Sequence, residues 1–87
     1  MNVNKVLENS NADKIELNIR MLEDQVLIEG TEETLSFLSK LINAHANKDE
    51  DCGLQLSPNG AGKSFFNKES EYGIYIHRIP CEHKKRE

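Results

Sequence analysis

The chain has 87 residues, a formal net charge of −4, 30% charged residues and no Trp. That length sets a single domain, which buries roughly 60–65% of its unfolded-chain surface. It leaves no room for a second lobe. No apolar run approaches the ~20 residues that span a bilayer, and the opening MNVNKVLENSN lacks the apolar segment of a secretory signal. No membrane partner is expected, and the expected compartment is cytoplasmic. In that compartment Cys52 and Cys81 are expected as free thiols.

In chain order, residues 1–12 are polar and Asn-rich, with Val3, Val6 and Leu7 as their large apolar members. They read as a loose leader. In KIELNIR, Ile15, Leu17 and Ile19 alternate with Glu16 and Asn18, the pattern of a strand with one buried face. Glu23, Asp24 and Gln25 supply a turn, and Val26, Leu27 and Ile28 form a second strand close enough to make an antiparallel hairpin. Gly30 ends that strand. Thr31 is a good N-cap, and Glu32 and Glu33 suit the positive end of a helix dipole. Leu35, Leu38, Leu41, Ile42 and His45 then recur at spacings of three and four, predicting one apolar stripe on a helix that ends near Asn47.

GLQLS, from Gly53 to Ser57, alternates again and predicts a short third strand. EYGIYIHRIP, from Glu71 to Pro80, predicts a fourth. Tyr72, Ile74 and Ile76 share one face of it, and Tyr75, His77 and Ile79 share the other. Pro80 cannot continue a ladder. The expected fold is α+β: a four-stranded, mostly antiparallel sheet with one helix packed on one face, in the order β-β-α-β-β, two layers in all. The domain spans residues 13–80, and residues 81–87 form a charged, flexible tail.

In SPNGAGKS, from Ser57 to Ser64, the seven residues PNGAGKS resemble the phosphate loop of ABC-type ATPases. Gly62, Lys63 and Ser64 match G-x-x-x-x-G-K-[ST], but Ser57 stands where the first glycine belongs. Such a loop must lead from a buried strand into a helix whose N-terminus faces the phosphates. The following FFNKESEYG carries no helical stripe. Pro58, Asn59, Gly60 and Gly62 are also what an ordinary connecting loop requires, so the match reads as turn chemistry and no cofactor is expected.

Cys52, Cys81, His77 and His83 are a possible metal set, but zinc ligands usually come as close pairs, and only Cys81 and His83 read as one. No metal is expected. A catalytic thiol needs a positioned base, and none can be named, so the chain is not expected to be an enzyme. His45 reads as a core-edge residue. The strip of Tyr75, His77 and Ile79 is either a contact surface, since aromatic residues are enriched at interfaces, or is covered by the leader or a loop.

Charge is uneven. From Met1 to Gly62 there are five Lys and Arg against eleven Asp and Glu; from Lys63 to Glu87 there are six against four. An acidic body argues against nucleic acid as a partner, because phosphate contacts need clustered cations. It suits either plain solvation or a basic protein partner drawn in by opposite fields.

The run KIELNIRMLEDQVLIEGTEETLSFLSKLINAHA, followed by GLQLSP and ESEYGIYIHR, resembles the immunity proteins of bacterial polymorphic toxin systems, in particular the immunity protein 32 family. The strand-to-helix element is Ile28, Glu29, Gly30, Thr31, Glu32, Glu33, Thr34 and Leu35. The short strand with its Pro turn is Leu54 to Pro58, and the last strand is Ser70 to Ile76. The resemblance covers about residues 14 to 78. It implies a non-catalytic protein that occludes a toxin. From the acidic body and the aromatic strip, contacts are expected from Glu23, Asp24, Glu32, Glu33, Asp49 and Asp51 or from Tyr75 and His77. The alternative is a homo-oligomeric module that pairs its edge strands; monomer and dimer are both open.

Overall fold

The alternation at Ile15, Leu17 and Ile19 does bury that set of side chains, and the rest of the fold is arranged around them. The structure is a computed structural model and describes residues 2–48 and 51–81. The element order is α1 (Val3–Asn9), β1 (Asn18–Leu22), β2 (Gln25–Glu29), α2 (Glu32–Lys48), β3 (Gly53–Leu56) and β4 (Ile74–His77). This is the expected α+β order with a helix added in front. The segment expected as a loose leader forms α1, capped by the Asn2 side chain, which accepts from the Lys5 N–H, and it buries Val3 and Val6. Three- and four-residue spacing of Val3, Val6 and Leu7 lays those side chains along one face.

The strands do not form a single four-stranded sheet. They make two 2-stranded antiparallel sheets, β1 with β2 and β3 with β4. The reason lies in the segment that follows the glycine loop. It runs along the outer edge of β1: Leu17 N–H donates to Phe65 O at 2.9 Å, Asn67 N–H to Leu17 O at 2.8 Å, and Glu71 N–H to Ile19 O at 3.0 Å. The Ser70 hydroxyl accepts the Ile19 N–H at 2.9 Å. Between these contacts Asn67 bends the chain, its side chain accepting from the Glu69 N–H, as Asn does in turns. The edge that β4 would need is occupied by an irregular strap, with a parallel bridge at Leu17 and Phe66.

α2 holds the two sheets together. Phe37, Leu41 and Ala44 pack in one cluster with Val3, Val6, Ile15, Leu54, Leu56 and Phe65, and the Phe37 and Phe65 rings lie 4.9 Å apart. Leu38 joins Leu17 and Ile19 in a second cluster. The buried stripe is therefore Thr34, Phe37, Leu38, Leu41, Ala44 and His45. It is turned from the predicted one, which included Leu35 and Ile42. Both of these are exposed, because the apolar arc of α2 is wider than the core beneath it.

Cys52 and Cys81 are joined in a disulfide, Cα to Cα 5.7 Å, and are not free thiols. Neither lies near the other in sequence; the pairing of β3 with β4 brings them together. Disulfides persist in oxidising surroundings and are rare in the cytosol, so the compartment argument behind the free thiols does not carry over to this bond. No helix among the described residues is long and apolar enough to cross a membrane.

Candidate protein-binding face

In the β1–β2 hairpin, Ile19 stands opposite Ile28 and Met21 opposite Val26. Directly opposed residues of an antiparallel pair share a face, so these four side chains form one apolar surface. Ile19, at its base, is buried and packs in the cluster of Leu38. Leu35 and Ile42 lie three residues before and four after Leu38, on the same helical stripe. Ile19 and Leu38 thus share one buried cluster, with Leu17, beside the two apolar rows. The rest of these rows is uncovered: Met21, Val26, Ile28, Leu35 and Ile42 are each between 41% and 58% exposed. Exposed apolar side chains grouped in this way make a candidate contact surface.

Acidic pairs stand at both ends of the hairpin. Glu23 and Asp24 make its turn, and Glu23 takes φ 59°, in the left-handed region. A non-glycine residue held there costs on the order of 1–3 kcal/mol, and such strain clusters at functional positions. Glu32 and Glu33 open α2 at the other end, exposed to solvent. They also line a groove of about 760 Å³ between α1 and α2, floored by Val6, Ile15 and Phe37 with Lys40 on its rim. The helix start is held by Thr31 and Thr34. The Thr34 N–H donates to Thr31 Oγ1 at 3.1 Å, the expected cap, and the fully buried Thr34 hydroxyl accepts the Glu16 N–H at 2.9 Å. The far end of α2 is tied to β4: Arg78 Nη1 donates to His45 O at 2.6 Å. That carbonyl is among the last of the helix, which lack intrahelical donors.

The remaining expected contact residues fall elsewhere. Asp51 is exposed just before β3, away from both other acidic pairs, and Asp49 lies outside the described residues. Tyr75 and His77 sit on the outer face of β4 with rings stacked at 6.4 Å. Tyr75 is 68% and Ile79 76% exposed, so the strip is open to solvent and neither α1 nor a loop covers it. The described acidic residues among these expected contacts therefore fall in three places. The apolar face between two of them was missed, although its signal is present: α2 carries Leu35, Leu38 and Ile42 beside Phe37, Leu41 and Ala44, two stripes for one core.

The glycine loop has no phosphate-binding geometry. Ser57 N–H donates to Ala61 O at 2.7 Å and Lys63 N–H to Gly60 O at 3.0 Å. The loop closes on itself and leads into a single 3₁₀ turn, Lys63–Phe65. No family model, curated protein or solved structure matches the chain.

Proposed function

We propose that this protein is a non-catalytic binding module that docks a basic protein partner on the face formed by Met21, Val26, Ile28, Leu35 and Ile42. The observation that carries the reading is the exposure of these five large apolar side chains on the two elements whose buried residues Ile19 and Leu38 share one cluster. Its charge selects the partner. Glu23 and Asp24 at one end and Glu32 and Glu33 at the other form an acidic rim around an apolar centre, and interfaces are commonly built as an apolar core with a polar rim. A cationic rim on the partner would speed encounter and fix orientation. An immunity-type inhibitor of a cytosol-acting toxin is the form of this function that the sequence resemblance suggests.

The test is a capture experiment from native cell extract with tagged wild-type protein and a Val26→Lys/Ile28→Lys variant in parallel, at low and high salt. The expected result is one basic protein captured stoichiometrically, weakened by salt and lost with the variant. Equal capture by the variant, or none by either, overturns the reading.

A second reading is favoured by β2 itself. Among the described residues β2 pairs only with β1, so its other edge offers unpaired backbone groups. An antiparallel copy centred on Leu27 would set Val26 against Ile28 and Gln25 against Glu29, with no like charges opposed. The result is a homodimer sharing one sheet across a two-fold axis. Light scattering after size exclusion separates the two readings: a dimer that Ile28→Pro, which removes an N–H from the free edge of β2, converts to monomer supports self-association, and a monomer at all concentrations rejects it.

A further inference from the structure

We propose that Cys52, His77 and Cys81 form a redox-gated zinc site: a disulfide in oxidising surroundings and, once reduced, a pair of thiolates that bind Zn²⁺ together with the His77 imidazole. The fold, not the local sequence, assembles this set. Gly53 pairs with His77 across the β3–β4 ladder, which sets Cys52 beside the end of β4, and the Arg78 N–H donates to Cys52 O at 2.7 Å. Cys81 follows His77 on the same strand end, in the spacing His-x₃-Cys, which is that of a close ligand pair. One ligand atom from each of the three residues lies within 4.8 Å of the other two. Tetrahedral zinc with Zn–S of about 2.3 Å and Zn–N of about 2.0 Å sets its ligands roughly 3.5–3.8 Å apart. The sulfurs must then separate by about 1.7 Å from their bonded distance, within reach of side-chain rotation.

Burial suits a metal bound at a surface. Cys52 is buried, Cys81 half-buried and His77 exposed, so one side of the site faces solvent and water can supply the fourth ligand. His83 lies outside the described residues and is not needed. Tyr75, two residues before His77 on the same face, sets its ring nearly parallel to that of His77, with centroids 6.4 Å apart. The chemistry balances with a thiol reductant of the glutathione class. Two reductant thiols give two electrons and two protons to the Cys52–Cys81 bond and leave as their own disulfide. The freed thiols then lose their two protons as Zn²⁺ binds, as thiolate ligation requires. One staple between the start of β3 and the end of β4 replaces another, and the fold keeps its tie in a reducing compartment.

The test uses the full chain, reduced with a phosphine under nitrogen, titrated with Co²⁺ as a spectroscopic probe and with Zn²⁺ alone. The expected result is one metal per reduced chain, thiolate-to-cobalt charge-transfer bands, none in the oxidised protein, and at least about tenfold weaker binding in His77→Ala. Circular dichroism follows folding. His77→Ala, at an exposed position that leaves both cysteines in place, serves where Cys52→Ser/Cys81→Ser fails to fold. Absence of thiolate–cobalt bands in the reduced wild type overturns the site. Equal metal affinity in His77→Ala removes His77 from it and overturns the proposal as stated.

Discussion

The buried hydroxyl of Thr34 accepts the backbone N–H of Glu16 at 2.9 Å, tying the first turn of α2 to the approach of β1. The same hydroxyl lies 3.0 Å from that of Thr31, the helix cap. One side chain thus holds the helix start, the strand entry and the acidic pair Glu32 and Glu33 in register. Thr34→Val keeps the shape and removes the acceptor. It should cost about 1–3 kcal/mol, the range for a buried donor left unpaired, while Thr34→Ser keeps the bond and should cost about 1 kcal/mol for the lost methyl. Urea unfolding of both variants decides it: a Thr34→Val variant as stable as wild type would mean that packing, not the hydrogen bond, sets the value.

Much of this framework was legible from the sequence. The alternation of Ile15, Leu17 and Ile19 announced a buried row, of which only Ile19 falls in β1; Thr31 announced the start of α2, and the outer face of β4 carries Tyr75 and His77 as its alternation implies, with Ile79 just beyond its end. The sheet was not legible, because the competition for the edge of β1 is settled by Asn67 and Ser70, polar residues whose turn and hydroxyl contacts leave no periodic trace. The apolar face was hidden for a related reason. Periodicity shows that Leu35 and Ile42 belong to an apolar arc, but not how much of the arc a divided sheet can cover. Val3 and Val6 were too few to mark α1, and the Cys52–Cys81 bond depends on a pairing of strands that are distant in sequence.

Glu23 occupies the left-handed region at the first position of the hairpin turn, where glycine is preferred in type II′ turns. Relief of a left-handed side chain is worth about 1–2 kcal/mol, offset by about 0.5–1 kcal/mol for glycine's freedom in the unfolded chain. Glu23→Gly should therefore raise stability by about 0.5–1 kcal/mol, read as a higher melting temperature. If the proposed docking of a basic partner holds, the same change should weaken its capture, since it removes one acidic charge. Improved stability with unchanged capture would place Glu23 outside the contact.

Gly62 also takes a positive φ, 79°, and a Cβ there would meet Leu56 Cδ2 at 2.5 Å. Gly62→Ala should cost about 2–4 kcal/mol, combining the left-handed penalty with overpacking against a buried Leu. Lys63→Ala and Ser64→Ala change exposed side chains and should stay within about 0.5 kcal/mol of wild type. Thermal melts with and without Mg²⁺–ATP extend the comparison. A nucleotide-dependent rise in melting temperature that Lys63→Ala abolishes would reinstate a phosphate site; the expected outcome is no rise in either protein.

The disulfide links residues separated by 29 positions, and the chain between them includes β3, the glycine loop, the strap along β1 and β4. Closing a loop of that length in the unfolded chain is worth about 3.5 kcal/mol by loop entropy. For a domain of this size that is a large share of a total stability of roughly 5–10 kcal/mol. Reduction in the presence of a chelator should therefore lower the denaturation midpoint strongly, and Cys52→Ser/Cys81→Ser should match the reduced wild type. Adding Zn²⁺ to the reduced wild type should recover part of the loss, and adding it to the double variant should recover none. A midpoint that does not move on reduction would show that the linked segment gains no stability from the bond.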